Sequence, residues 1–513
     1  MVKNFYITTP IYYPSAKPHM GHAYSSIIAD FFARFKKIDG FTVFFLTGTD
    51  EHGLKIQRAA EKKGIDPQKF CNEISQTFRD LSNTLKLTNT DFIRTTEERH
   101  KKSVKHLWKV LEENDDIYLS KYSGWYSVSD EAFYNEDEIE EIDGKKIAIL
   151  SKSIVEWVDE ESYFFRLSKW QKPLLKYYKD NPNFIQPESR KNEVISFVEN
   201  GLKDLSISRK SFSWGIKVPE NDAHVIYVWL DALTNYISAL NYPDTQNELF
   251  KKYWPASMHL IGKDILRFHA IYWPAFLLAA KIELPKKIYG HGWILSGDEK
   301  MSKSKGNILD PLEIIEKYGL DPLRYYLIKE VSFGNDGNIS QDRLEDCINS
   351  DLANNYGNLC QRVISFIIKN LNSKVPENIE FNEDDKKILD NYRINLNNIR
   401  EKIDNNDINF YINFIVNSLF AANKYFNDQE PWKKKGDTRR LNTIVYTTLE
   451  IIRKISFMMY PIIPETALKA LKIFNINEDE IVLSSIEKHD YLKLGSKINS
   501  IDILFKKIEK LND

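Results

Sequence analysis

From Phe5 to about Asn114 the chain alternates between two periods. Apolar runs of strand length, Phe5 to Ile11 and Thr42 to Thr47, interleave with helical spacing over Tyr24 to Lys36, His52 to Lys63 and Pro67 to Leu85. This alternation predicts parallel strands joined by crossover helices, an α/β doubly wound sheet. Such sheets bind ligands beyond the carboxyl ends of their strands. Two polar stretches are expected there. His19-Met20-Gly21-His22 follows the first run and Pro18, a good first helical residue, while Gly48 to Gly53 follows the second.

His19 and His22, three apart, share one helical face beside the positive end of the helix dipole. Gly21 removes a side chain between them, so a ligand can approach while two imidazoles donate to charge developing on phosphorus. Taken alone, the tetrapeptide reads as a helix cap with surface residues. Lys300-Met301-Ser302-Lys303-Ser304-Lys305-Gly306-Asn307 packs three lysines, two serines and a glycine into a loop suited to clamping a triphosphate. Alone it is a solvated basic loop. Asp50 can bind an ammonium group or cap the helix predicted from His52, and the residues leave both roles open. A metal site of His19, His22, Asp50 and His52 is a further reading, which leaves the lysine loop unexplained.

Together the two stretches match the HIGH and KMSKS signatures of class I aminoacyl-tRNA synthetases, in the right order and far apart. Thr9 to Tyr13, Gly48 to Gly53, Tyr227 to Ala232, Gly262 to Ile265 and Gly290 to Trp293 resemble the methionyl-tRNA synthetase family, over about residues 3 to 470. The resemblance implies a Rossmann-like catalytic domain that joins L-methionine to tRNA(Met) through methionyl-adenylate, using ATP with Mg²⁺. His19, His22, Lys300 and Lys303 would be catalytic, and Gly21, Asp264 and His291 would join them around ATP. Ile11, Tyr13, Asp50, Trp229, Ala232, Leu233, Tyr236, Ile265, His269 and Trp273 would surround methionine, with His269 offering the sulfur a weak hydrogen bond. Asn358, Arg362 and Trp432 would read the anticodon. Without the resemblance, Trp432 is a packing residue and Arg362 a member of a surface ion pair.

The implied organisation is a first catalytic half over 1–114, a connective insertion over 115–206, a second half over 207–295, and the lysine loop with a stem contact over 296–345. An α-helical anticodon-binding bundle over 346–470 and a helical tail over 471–513 complete it. Relatives often carry zinc knuckles in the insertion. Here Ser127 and Asp130 stand where thiolates would be, and no cysteine lies between Cys71 and Cys347, so no zinc is expected and aromatic packing must hold this piece. The insertion is too short for the hydrolytic editing module of the isoleucine, leucine and valine enzymes.

Composition adds exclusions. With 42 % hydrophobic and 28 % charged residues and no apolar run of membrane-spanning length, the 513-residue chain is expected to be soluble and cytoplasmic. A strand starting at residue 3 is taken to leave no room for a presequence. Three scattered cysteines suit a reducing compartment. A net charge of −2 restricts RNA contact to local patches such as Lys433-Lys434-Lys435 with Arg439 and Arg440. No room is seen for a dimer-forming carboxyl-terminal domain, so a monomer is expected. Two rivals are an adenylating enzyme that uses no tRNA, which leaves the helical bundle unexplained, and a non-enzymatic RNA-binding relative, whose mark would be a decayed signature.

Overall fold

The computed structural model describes residues 3–509 other than 129, 131, 143, 297–298, 301–309 and 435, with the backbone alone at 122, 132, 133, 296, 299 and 300. The chain divides into two compact units. One comprises Asn4–Ala29 and Val43–His291, the other Met1–Lys3, Asp30–Thr42 and Gly292–Asp513.

The first unit is built on a six-stranded sheet. Its strands are β1 (Lys3–Tyr12), β2 (Phe41–Thr49), β3 (Asp91–Arg94), β4 (Ile185–Gln186), β5 (Met258–Gly262) and β6 (Ile288–His291). Their order is β3-β2-β1-β5-β6-β4. The recorded registers, such as Ile7 with Met258, Leu260 with Tyr289 and Thr47 with Phe92, are parallel. Parallel strands are covered on both faces, and Tyr6 to Thr9, Phe44 to Thr49 and Met258 to Ile261 are accordingly buried. The strand order reverses between β1 and β5. A doubly wound sheet opens its ligand crevice at that point, and both signature loops that follow β1 and β2 lie at these strand ends. Gly48 is required by close packing of β2 on β3, since a Cβ there would lie 2.0 Å from the Ile93 carbonyl oxygen.

The insertion is an antiparallel ribbon of Ile117–Ser127 and Glu156–Phe165, flanked by Ala132–Tyr134 and Leu205–Ser206. Trp125 and Trp157 meet edge to face at 5.1 Å, which is aromatic packing of the expected kind. A polar cluster shares the task. The hydroxyls of Tyr134 (2.6 Å), Ser151 (2.5 Å) and Ser153 converge on the Asp130 carboxylate, and Ser127 joins Ser153 at 2.9 Å.

The first long helix is α1 (Met20–Ile38), and in the second unit the long helices α2 (Asn358–Asn370), α3 (Glu383–Asp404), α4 (Ile408–Gln429) and α5 (Thr438–Met459) form the bundle that the helical period predicts. Asp30 accepts Arg34 Nε and Arg324 Nη2, both at 2.7 Å, and all three side chains are buried. Cys71 in the first unit and Cys347 and Cys360 in the second are buried free thiols. Among the described residues no helix is long and apolar enough to cross a membrane.

Three expectations need correction. The apolar run Val225 to Trp229 reads in the sequence as one buried strand but is not: Asn221–Ile226 is a strand of an antiparallel sheet, and Trp229 lies on the helix Val228–Leu233. A short apolar run carries no period to separate the two. The first helix starts at Met20, two residues past Pro18. Beyond Glu487 the tail forms no helix among the described residues; turns and bends interrupt it, and Ile508 exchanges backbone bonds with the Asn349 side chain (2.8 and 2.9 Å) in place of helical ones.

Candidate active site

The signature histidines cap their own helix. His19 is the residue before Met20–Ile38: its Nδ1 accepts the Gly21 N–H at 3.1 Å, while His22 Nδ1 accepts the His19 N–H at 3.1 Å. This is a reciprocal capping box made of two imidazoles. Both Nδ1 atoms act as acceptors, so each ring carries its proton on Nε2. The rings stack at 3.8 Å, and His22 is gripped between Tyr12 (4.8 Å) and Phe78 (5.2 Å). Burial, reinforced by His19, pushes the His22 pKa well below the ordinary imidazole value and keeps the ring neutral. One turn on, Ser25 Oγ lies 2.7 Å from Nε2 of His291 at the end of β6, and Tyr24 packs edge-on to that ring at 5.2 Å.

At the end of β2 Asp50 is almost buried, 7 % exposed, with its N–H donating to the Tyr12 carbonyl at 2.9 Å. It is not a helix cap. The helix starts at Leu54 and its cap is Gly53, which leaves Asp50 three residues short of it. Its neighbours are fully engaged: Glu51 accepts Arg94 (2.6 and 2.9 Å), Thr96 (2.5 Å) and Thr49 (2.7 Å), and His52 Nδ1 lies 2.6 Å from Asp231.

Seven of the predicted methionine-site residues belong to the core cluster of the first unit or pack against it. Leu233, Tyr236 and Trp273 are buried within it, and Ile11, Tyr13, Trp229 and Ile265 pack against it half-buried. Ala232 is buried on the Trp229 helix but does not belong to that cluster. Trp229 stacks face to face on Phe268 at 3.7 Å. His269 is buried, and burial lowers its pKa to about 4, so it is neutral near pH 7. Its ring contacts the Ile265 carbonyl through Nδ1 (2.9 Å) and the Tyr236 hydroxyl through Nε2 (2.7 Å). A carbonyl only accepts, so Nδ1 carries the proton and Nε2 accepts from Tyr236. The expected hydrogen bond from His269 to a sulfur is therefore excluded here, since the ring orients Tyr236 instead. Asp264 sits in the turn after β5, and its Oδ1 would lie 2.6 Å from a Cβ at Gly262. Lys303 and the rest of 301–309 lie outside the described residues, and the Lys300 backbone belongs to a short strand paired with Ile294–Ser296.

In the second unit Arg362 and Trp432 come together in a groove of about 370 Å³ lined also by Gln361, Phe366 and Phe426. Arg362 donates to the Asn427 side chain at 2.6 Å and lies 5.7 Å from the Phe426 ring. Trp432 touches Phe426 edge-on at 6.1 Å yet stays 40 % exposed. Asn358 lines a neighbouring hollow with Gln361 and Leu504. Part of the suggested basic patch is committed elsewhere: Arg440 pairs with buried Asp385 (2.6 Å), and Arg439 with Glu380 (2.8 Å).

A family model described as tRNA synthetases class I (M) matches residues 5–364. The chain belongs to this methionyl family of class I tRNA synthetases. A second model, the anticodon binding domain of methionyl tRNA ligase, matches residues 375–512. Curated family members include the methionine–tRNA ligase of Brucella suis, 49 % identical over 480 residues and 93 % of each chain. That of Rickettsia felis is 48 % identical over 519 residues and 99 % of each. Mycobacterium tuberculosis methionyl-tRNA synthetase in complex with methionyl-adenylate superposes with a TM-score of 0.96 at 44 % identity, covering 98 % of this chain and 100 % of that one. Its apo form gives 0.90 at 41 %, covering 100 % and 99 %. Sequence reasoning missed Tyr12, Ser25, His100 and Asp231 as members of the site's framework. Tyr12 and Asp231 lie inside the family stretches, which was the available signal; His100 carried none.

Proposed function

We propose that the crevice at the ends of β1, β2 and β5 activates L-methionine with ATP, forming methionyl-adenylate and pyrophosphate, and then passes methionine to tRNA(Met) with release of AMP. The observation that carries this reading is the histidine capping box, which takes up both Nδ1 atoms with backbone N–H groups and so sets both ring protons on Nε2 in a fixed frame. Donors held in advance stabilise charge that develops only in the transition state. His19 and His22 act on the α-phosphoryl group, and Gly21 lets the nucleotide close on the helix start. Asp264 and His291 fix ATP, while Lys300 and Lys303 hold the departing pyrophosphate. Asp50 binds the methionine ammonium. Ile11, Tyr13, Trp229, Ala232, Leu233, Tyr236, Ile265, His269 and Trp273 form the side-chain pocket, whose aromatic walls suit a polarizable thioether.

Mg²⁺ travels with ATP, held by its phosphates. In the second unit Arg362 and Trp432, with Asn358 beside them, receive splayed anticodon bases by hydrogen bonding and stacking. The insertion at 115–206 uses its Asp130 cluster in place of zinc. The segments 1–114 and 207–295 serve catalysis, 296–345 the lysine loop and stem contact, 346–470 the anticodon, and 471–513 the tail. The protein works as a cytoplasmic monomer.

The test is amino-acid-dependent exchange of labelled pyrophosphate into ATP, run with each of the twenty amino acids and repeated with His22→Ala and Lys303→Ala. Methionine alone should drive exchange, and each substitution should cut it by about a hundredfold or more. ATP binding without exchange under any amino acid would end the catalytic reading.

A further inference from the structure

The loop that carries Asp50 is fastened from two sides. Glu51 is held by Arg94, Thr96 and Thr49, which belong to β2, β3 and the turn beyond. On the other side the connection runs through the core. His52 Nδ1 lies 2.6 Å from Asp231 Oδ2, His100 Nε2 lies 2.7 Å from Asp231 Oδ1, and His100 Nδ1 lies 2.8 Å from Ser238 Oγ. Ser238 Oγ also lies 3.0 Å from the Thr234 carbonyl, so this side of the network ends on the backbone of the same helical segment. Asp231 and His100 are fully buried and His52 is 4 % exposed. Burial alone would raise the Asp231 pKa, but the two imidazoles outweigh it and hold the carboxyl below its ordinary value.

A buried, hydrogen-bonded carboxylate adds little net stability over apolar residues of the same size, so its location is the informative part. Asp231 shares the helix Val228–Leu233 with Trp229, Ala232 and Leu233, the proposed side-chain wall. His52 also accepts the Tyr13 hydroxyl at its carbonyl oxygen, 3.0 Å away. One residue, through its ring and its carbonyl, thus joins three pieces: the Asp50 loop, the Trp229 helix and the Tyr13 wall.

We propose that Asp231 is a positioning residue for amino-acid binding: acting through His52, it fixes the distance between the carboxylate that takes the ammonium group and the pocket that takes the side chain. This rests on Asp50 being the ammonium ligand. Asp231 itself need not touch substrate.

Asp231→Asn keeps the volume but turns one acceptor oxygen into a donor facing an N–H. In pyrophosphate exchange by the full chain, KM for methionine should rise about tenfold, with kcat within about threefold and KM for ATP within about twofold of wild type. Inhibition by methioninol, which keeps the amine, should weaken in step with methionine. Inhibition by 4-(methylsulfanyl)butanoate, which lacks the amine, should stay within about twofold. His100→Gln still offers Asp231 a donor but loses Ser238, and should give the same pattern at about threefold; it decides the matter if Asp231→Asn does not fold. Equal weakening of both inhibitors would reduce Asp231 to a structural prop, and an unchanged KM for methionine would remove its role. If wild-type enzyme is inhibited as well by the amine-free acid as by methioninol, Asp50 is not the ammonium ligand and the basis of the proposal goes with it.

Discussion

The crevice around Asp50 and the groove around Arg362 are built on opposite plans. In the crevice nearly every polar group beside the reacting positions is already engaged: the histidines cap each other's backbone, and Glu51 and His52 are tied to residues far away in sequence. In the groove one hydrogen bond to Asn427 holds Arg362, and Trp432 stands 40 % exposed. The contrast follows from the two tasks. A transition state gains most from donors that need no reorganisation, whereas splayed bases stack on whatever aromatic face is offered.

The comparison breaks most sharply at the ammonium ligand. Asp50→Ala should cost about 2–5 kcal/mol in kcat/KM for methionine, as loss of a buried charge partner does, and leave tRNA affinity unchanged in a filter-binding assay. Equal losses in both assays would mean the two regions are not separate. Acid should divide them next. His269 titrates near 4 when folded and near 6.5 when unfolded, so the unfolded chain takes up a proton that the folded chain refuses. Stability is complete above about pH 6.5 and declines as pH falls toward 4, by up to about 3 kcal/mol for this ring. Burial shifts His22 and His259 in the same direction. Urea midpoints at pH 7 and pH 5 should therefore fall less in His269→Gln than in wild type. Arginine side chains do not titrate in this range, so tRNA affinity should hold at pH 6.

A smaller effect is expected in the groove itself. Trp432→Ala should lower tRNA charging by about 1–3 kcal/mol in kcat/KM while exchange is unaltered, since the lost contact is one stacking face. The smallest concerns the insertion. Its Asp130 cluster contains hydroxyls and a carboxylate but no thiol, so EDTA should leave the thermal midpoint within about 1 °C. A large drop would show that a metal supports the ribbon after all.

Much of this was legible in the chain. Alternating periods gave the parallel sheet, helical spacing gave the bundle, and two short signatures marked the strand ends. The cap and the catalytic reading of His19 and His22 competed on paper, yet they do not conflict, because the cap uses only Nδ1 of each ring. What stayed hidden depends on tertiary partners. No local pattern ties His52 to Asp231, 179 positions away, and the tautomer of His269 is set by the Ile265 carbonyl. Asn358 and Arg362 share a helix face as their spacing implies, but side chains from the tail and from α4 divide that face into two hollows.

The three buried thiols have a use of their own. Burial raises the pKa of each, that of Cys360 to about 12, so none offers a thiolate to an alkylating reagent while its surroundings stay closed. Cys71, whose Sγ donates to the Glu51 carbonyl, reports on the first unit; Cys347 and Cys360 report on the second. Timed iodoacetamide labelling followed by peptide mass spectrometry would therefore record how often each half of the molecule opens, separately and without any introduced probe.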